Sequence, residues 1–172
     1  MQGLGHEIVI NSASSGGIAG SGWCLSCTSP APFSVQGGEN PYTIQQDLQQ
    51  LMQRLVGIIR TADELTQSLA EIKALKKRAT ALSVEGHRQY NPGWHIALDL
   101  VNMLTVSECI AMAALERQES RGGHTRDDFA GADDHWGSIN LVLTENSAGD
   151  VQLKHQPLPS MPPELAELMT IS

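Results

Sequence analysis

At 172 residues, with 19 acidic side chains against 11 Lys and Arg, the chain carries a formal net charge of −8. That balance argues against nucleic acid or an anionic bilayer as a partner, because phosphate binding is driven by clustered Lys and Arg. An apolar content of 41% with only 4% aromatics supports one modest, largely aliphatic core, and no apolar run approaches the ~20 residues that cross a bilayer, so no direct membrane span is expected.

The first 37 residues are rich in Gly, Ser and Pro, show little periodicity beyond His6 to Ile10, and read as a disordered segment. They lack the basic start and clean apolar stretch of a signal peptide, which makes the cytoplasm the default location. The string from Gly16 to Gly22 has neither the amphipathic helix nor the acidic residue that a dinucleotide-binding loop needs after it. Cys24 and Cys27 have the spacing of a zinc or redox half-site, yet no second pair completes four ligands, so they read as incidental. Cys109 falls among Val106, Ile110 and Ala113 in a helical stretch, where a thiol behaves as a small core hydrophobe.

From Thr43 the apolar residues Ile44, Leu48, Leu51, Leu55 and Ile58 recur at the three-and-four spacing of one helix face. Thr61 to Glu64 is a capping box that opens a second helix, whose stripe is Leu65, Leu69, Ile72, Leu75, Ala79 and Leu82 and which ends at Gly86. The basic cluster of Lys73 and Lys76 to Arg78 reads as its solvated end, where cations complement the helix dipole. Asn91-Pro92 starts a third helix running to about Gln118, with Trp94, Leu98, Val101, Thr105, Ile110 and Leu115 as its stripe and Gly122-Gly123 as its stop. Being apolar around more of its circumference, this helix should lie buried between the other two and a further surface. Short connections favour antiparallel neighbours. The fold expected is therefore mainly α: an antiparallel three-helix bundle, then a small β-hairpin from Ser138–Thr144 and Val151–His155, then an extended Pro-rich tail in which Pro163 begins a short helix to Met169.

The loop after the third helix places His124, Arg126, Asp127 and Asp128 side by side. A metal site of His124, Asp127, Asp128 and His135 can be drawn, but Arg121 and Arg126 stand beside the carboxylates, and guanidinium–carboxylate forks need no metal. A hydrolytic Ser120–His124–Asp arrangement lacks any nucleophile elbow.

Glu119-Ser120-Arg121-Gly122, His124, Arg126, Asp128 and Phe129, then Asp133 to Trp136, together with Glu39 to Tyr42 and Val56 to Arg60 upstream, resemble the C-terminal helical region of succinate dehydrogenase and fumarate reductase flavoprotein subunits, with L-aspartate oxidase more distant. The resemblance covers residues 38–157, leaving 1–37 without it and 158–172 as a tail, and departs at Ala130, where the family pattern has proline. It implies a C-terminal portion that packs against a flavin-binding domain and supports succinate/fumarate oxidoreduction only in the intact enzyme. FAD would belong to that domain, with no cofactor, metal or catalytic residue in this chain. Partners would be the flavin-binding domain and the iron–sulfur subunit of such a complex, through which the chain reaches the membrane's inner face. Arg121, His124, Arg126 and Asp127 would then be docking residues, contributing little to the helices themselves. The other reading keeps the bundle as an autonomous protein-interaction module without catalytic activity, and the two differ in what binds it.

Overall fold

The computed structural model describes residues 33, 35, 37–87, 89–146, 150–163 and 165, with 7–10 as backbone. The glycine string of residues 16–22 and the Cys24/Cys27 pair lie outside the described residues. The chain divides into two compact units, Ala13–Ala132 and Asp133–Ser172 with Met1–Ser12.

The larger unit is the bundle. Helix α1 (Pro41–Leu55) starts where the Asn40 side chain accepts the Tyr42 amide and Pro41 fills the first position, where an N–H would have no helical partner. It buries Ile44, Leu48, Leu51 and Leu55. Ile58, assigned to the same stripe, is instead 82% exposed, because the chain leaves helical geometry at Val56 (φ −124°). Strand β2 (Ile59–Arg60) then leads into α2 (Ala62–Ala79). The capping box forms as expected: Thr61 Oγ1 accepts from the Glu64 amide at 3.3 Å and Glu64 Oε2 from the Thr61 amide at 3.1 Å, a cap typically worth about 1 kcal/mol.

Helix α2 buries Leu65, Ser68, Ile72 and Leu75, and Ser68 satisfies its hydroxyl on the Leu65 carbonyl at 2.7 Å. It stops at Ala79, short of Gly86, because a parallel bridge between Glu39 and Leu82 takes over: the Glu39 amide donates to Ala81 O at 3.0 Å and the Ser83 amide to Glu39 O at 2.9 Å. Only glycine fits at position 38, since a Cβ there would lie 2.4 Å from Ala81 O. The basic cluster is also less solvated than expected. Lys76 pairs with Glu108 and Arg78 with Glu39 and Asp47, stitching α2 to its neighbours.

Helix α3 (Pro92–Glu116) is capped by Asn91, whose Oδ1 accepts from the Trp94 amide at 3.2 Å. All three helices touch one another. Trp94 and Leu115 of the expected α3 stripe pack partly buried against the core, but the rest of the register differs. Gly93, Ala97, Leu100, Leu104, Ser107, Cys109, Ala111 and Ala114 are buried, while Val101 is 49% and Ile110 38% exposed. Small residues at 93, 97, 111 and 114 let the α3 backbone approach α1 and α2 closely, so the face with less bulk turns inward. By length and composition α3 could cross a membrane, with a third of its most apolar window buried; here it packs against both α1 and α2.

The second unit is a three-stranded antiparallel sheet whose central strand pairs with one strand on each side. Strands β4 (Ile139–Glu145) and β5 (Val151–Pro157) form the expected hairpin, with Leu143 opposite Leu153 and the Asn146 amide bonded to Asp150 O at 2.9 Å across the turn. Within the segment read as mostly unstructured, the His6 to Ile10 stretch contains strand β1 (Glu7–Ile10), pairing along β4 with Ile8 opposite Leu143 and Ile10 opposite Leu141. A run as apolar as Leu141–Leu143, buried throughout, suits a central strand better than an edge. A single helical turn, α4 (Asp134–Gly137), precedes β4, its first amides capped by Asp133. Past Pro157 the described residues 158–163 and 165 are exposed, and Pro163 and Leu165 are helical; the rest of the expected helix to Met169 lies outside the described residues.

Candidate functional site

The charged segment folds onto the end of α3 through a pairing too short to leave a sequence signal. Strand β3 (Thr125–Arg126) runs parallel to β2, with Ile59 opposite Thr125 and Arg60 opposite Arg126. The Asp127 amide extends the pairing by donating to Arg60 O at 2.9 Å. Gly122-Gly123, expected to stop α3, instead makes the turn between Arg121 and His124, whose amides bond each other's carbonyls at 2.9 and 3.1 Å, with Gly122 at φ +59°. Helix α3 has already ended at Glu116.

Arg126 is the centre of the arrangement and is 2% exposed. Its Nη1 donates to the carbonyls of Ala114, Leu115 and Arg117 at 2.8, 3.1 and 3.3 Å, the acceptors that a helix leaves without intrahelical partners at its C-terminus. Its Nε and Nη2 form a fork on Asp128 at 2.7 and 2.6 Å. Asp128 Oδ2 in turn accepts from the Ala62 amide at 3.0 Å, in the first turn of α2. One ion pair therefore joins the negative end of α3 to the positive end of α2, each charge on the terminus that favours it. The fork holds the Asp128 carboxyl down to about 2. Phe129 completes the packing, its ring centroid 4.9 Å from the Arg126 guanidinium carbon.

Around this pair the remaining groups are also engaged. Glu119 is 1% exposed and its carboxylate takes Arg117 and, at 3.0 Å, Arg121. Ser120 Oγ donates to Phe129 O at 2.7 Å and accepts from the Arg126 amide at 2.9 Å, which ties it to the loop backbone and not to His124. His124 Nε2 lies 3.1 Å from the Arg117 carbonyl and Nδ1 lies 3.1 Å from Arg60 Nη1. A carbonyl and a guanidinium at those positions require the neutral tautomer protonated on Nε2. Burial, followed by the nearby cations Arg60, Arg126 and Arg117, holds the imidazole below its usual pKa, against the opposing pull of the Arg117 carbonyl. A depressed histidine gives stability that is complete above the unfolded pKa of about 6.5 and declines as pH falls below it. Thermal melts should show that decline, and His124→Gln, which can keep both hydrogen bonds, should flatten it; an unchanged slope would contradict the assignment.

The four expected docking residues are thus placed differently. Asp127 is exposed, the Arg121 side chain is 40% exposed, His124 is half-buried, and Arg126 faces inward. Arg60 was not singled out from sequence; its link to the site spans 64 residues. Among the described residues no three His, Cys, Asp or Glu side chains are grouped to hold a metal ion. Nor does a flavin cradle fit here: β2 runs into α2 through Thr61 alone, with no glycine-rich loop between them.

Comparison with known proteins agrees with this architecture. The family described as fumarate reductase flavoprotein C-term matches residues 45–167. The fumarate reductase flavoprotein subunit of Mycobacterium tuberculosis is 32% identical over 124 residues, 72% of this chain and 21% of that protein. The chain therefore spans about a fifth of the length of that relative. Among solved structures, Mycobacterium smegmatis Sdh1, determined in complex with UQ1, superposes with a TM-score of 0.76 at 44% identity, covering 82% of this chain and 24% of that one. The E. coli quinol fumarate reductase FrdA shares the fold, with a TM-score of 0.62 at 23% identity over 77% of this chain and 23% of its own. A family match over residues 45–167, most of the chain, shows that it belongs to the C-terminal domain family of fumarate reductase and succinate dehydrogenase flavoproteins.

Proposed function

We propose that this chain acts as the helical domain of a succinate dehydrogenase/fumarate reductase-type flavoprotein, packing against a flavin-binding domain and supporting succinate/fumarate oxidoreduction only in its company. The family match over residues 45–167 carries the reading. The surface gives it a physical basis. Ile58 and Ile59 are adjacent and 82% and 65% exposed, an apolar pair of the kind a partner covers, and α3 leaves Val101, Val106 and Ile110 open to solvent at separate points around its axis. FAD belongs to the partner domain in this scheme, and the iron–sulfur subunit joins the same complex at the cytoplasmic side of a membrane. The bundle's own part is to hold Arg121, Asp127 and the apolar residues in one rigid frame, with the inward Arg126 fixing the loop that presents them.

The test is to mix the purified chain with the separately produced flavin-binding portion of the Mycobacterium smegmatis relative. The chain alone should be colourless and inert toward succinate, and should aggregate at moderate concentration; the mixture should give a soluble complex and succinate-dependent dye reduction above that of the flavin portion alone. Stoichiometric flavin absorbance in the chain purified by itself would overturn the proposal.

A further inference from the structure

Every other arginine with a described ion pair has a carboxylate at hand: Arg54 has Glu71, Arg78 has Glu39 and Asp47, Arg117 and Arg121 share Glu119, and Arg126 has Asp128. Arg60 differs. Its guanidinium is partly buried, with Nε donating to Gly57 O at 2.7 Å and Nη1 to His124 Nδ1 at 3.1 Å, and among the described residues no Asp or Glu forms an ion pair with it. Both of its partners are neutral. Burial and the neighbouring Arg126 destabilise its charged form, and no anion offsets them.

A guanidinium taken partly out of water normally finds a carboxylate, because desolvation is otherwise uncompensated. This one is also pinned in position by two hydrogen bonds, so little side-chain entropy remains to be lost when an anion arrives. It sits directly after Ile58 and Ile59, the two most exposed isoleucines among the described residues. An arginine beside exposed apolar side chains is the composition of an interface centre, where the apolar neighbours exclude water and strengthen the ion pair. Those isoleucines give nothing to a small hydrated anion, which points to a protein surface as the source of the charge.

We infer that Arg60 is an anion-receiving residue, and that its ligand is an Asp or Glu side chain presented by the domain that covers Ile58 and Ile59. The inference rests on the docking reading and adds the chemistry of the contact: a carboxylate set among apolar side chains. The Nη2 group, which makes no hydrogen bond among the described residues, matches one or both oxygens of such a carboxylate.

The experiment uses the full chain and the flavin-binding portion of the Mycobacterium smegmatis relative as the probe, with affinity measured by calorimetry at low and high salt. Arg60→Met keeps the apolar stem and removes the charge; Arg60→Lys keeps a charge without the fork. Relative to the unaltered chain, Arg60→Met should bind about thirtyfold more weakly or worse, as for truncation of one member of a buried charge pair, and should lose much of the salt sensitivity. Arg60→Lys should fall between. Circular dichroism establishes that helicity is kept. If Arg60→Met fails to fold, Arg60→Lys decides, a weakening of about threefold or more supporting the contact and equal affinity overturning it. Binding by the unaltered chain with undiminished binding by Arg60→Met would sink this inference while leaving docking intact. No binding by the unaltered chain would overturn docking and this inference with it.

Discussion

Replacing Arg126 with Ala is expected to cost roughly 3–5 kcal/mol, enough to unfold most of a domain whose total stability is of ordinary size. The side chain is 1% exposed and its loss would orphan three carbonyls at the end of α3 while leaving Asp128 without its cation. This reverses the expectation that loop charges contribute little to the helices, because the loop residue is in effect the cap of α3. Arg126→Lys should recover little, since an ammonium cannot form the fork and reach the carbonyls together. Arg121→Ala is the contrast: its side chain is 40% exposed, Glu119 keeps Arg117, and a loss of at most about 1 kcal/mol is expected. Acid gives an independent measure. The Asp128 carboxyl is held at about 2 against an ordinary 3.8. A depressed carboxylate contributes stability that is full above its unfolded pKa and is lost as pH falls toward the folded one. Urea titrations between those limits should show the decline, and Asp128→Asn should reduce its steepness; equal steepness would mean that the fork is not made in solution.

Leu100→Ala should cost about 2–5 kcal/mol, the range for a buried leucine whose cavity the surroundings fill only in part. Leu100 is 0% exposed on α3, inside the core shared with α1 and α2. Val101→Ala, one residue on, should cost far less, because Val101 is 49% exposed. The pair separates two registers of α3: the stripe expected from sequence places Val101 inside, and the structure places Leu100 there. Denaturation midpoints at unchanged m-value would decide, and a larger loss for Val101→Ala would reject the observed register.

How well each helix face can be read from sequence is a matter of contrast, although the ends of α1 and α2 both fall short of the expected ones, at Leu55 and Ala79. In α1 and α2 the buried residues stand against Gln, Asp, Glu and Lys on the other face, so the stripe can be followed through Leu51 or Ile72 without ambiguity. In α3 apolar side chains occur on all sides, and size misleads: Ala97, Ala111 and Ala114 go inside because they let backbones approach, while Ile110 does not. Local chemistry was legible where its partners lie close in the chain. The Thr61–Glu64 capping box, the asparagine–proline starts of α1 and α3, and the mutual attraction of Arg126 and Asp128 all act within a few residues. Pairings across long stretches were not. Two-residue strands such as Ile59–Arg60 and Thr125–Arg126 have no period to detect, and only their meeting reveals that Arg60, His124 and Arg126 share one place. Strand β1 escaped for a related reason, since four residues among glycines and serines acquire their meaning only from β4.

The same long separation bears on time as well as on energy. The Arg60–His124 and Ala62–Asp128 contacts close loops of 64 and 66 residues. Bringing such distant segments together carries a chain-entropy cost that grows with the logarithm of the loop length, and it must be met before either contact gives anything back. Helices α1 to α3 can pair through near neighbours first, so the parallel strand pair and the Ala62–Asp128 bond belong to the later side of the folding barrier. Interactions made there leave the rate of folding nearly unchanged and slow the rate of escape from the folded state. What the knot of charges supplies, in that light, is lifetime: a bundle that assembles at the pace of its helices and opens only after its two helix ends have been unclasped.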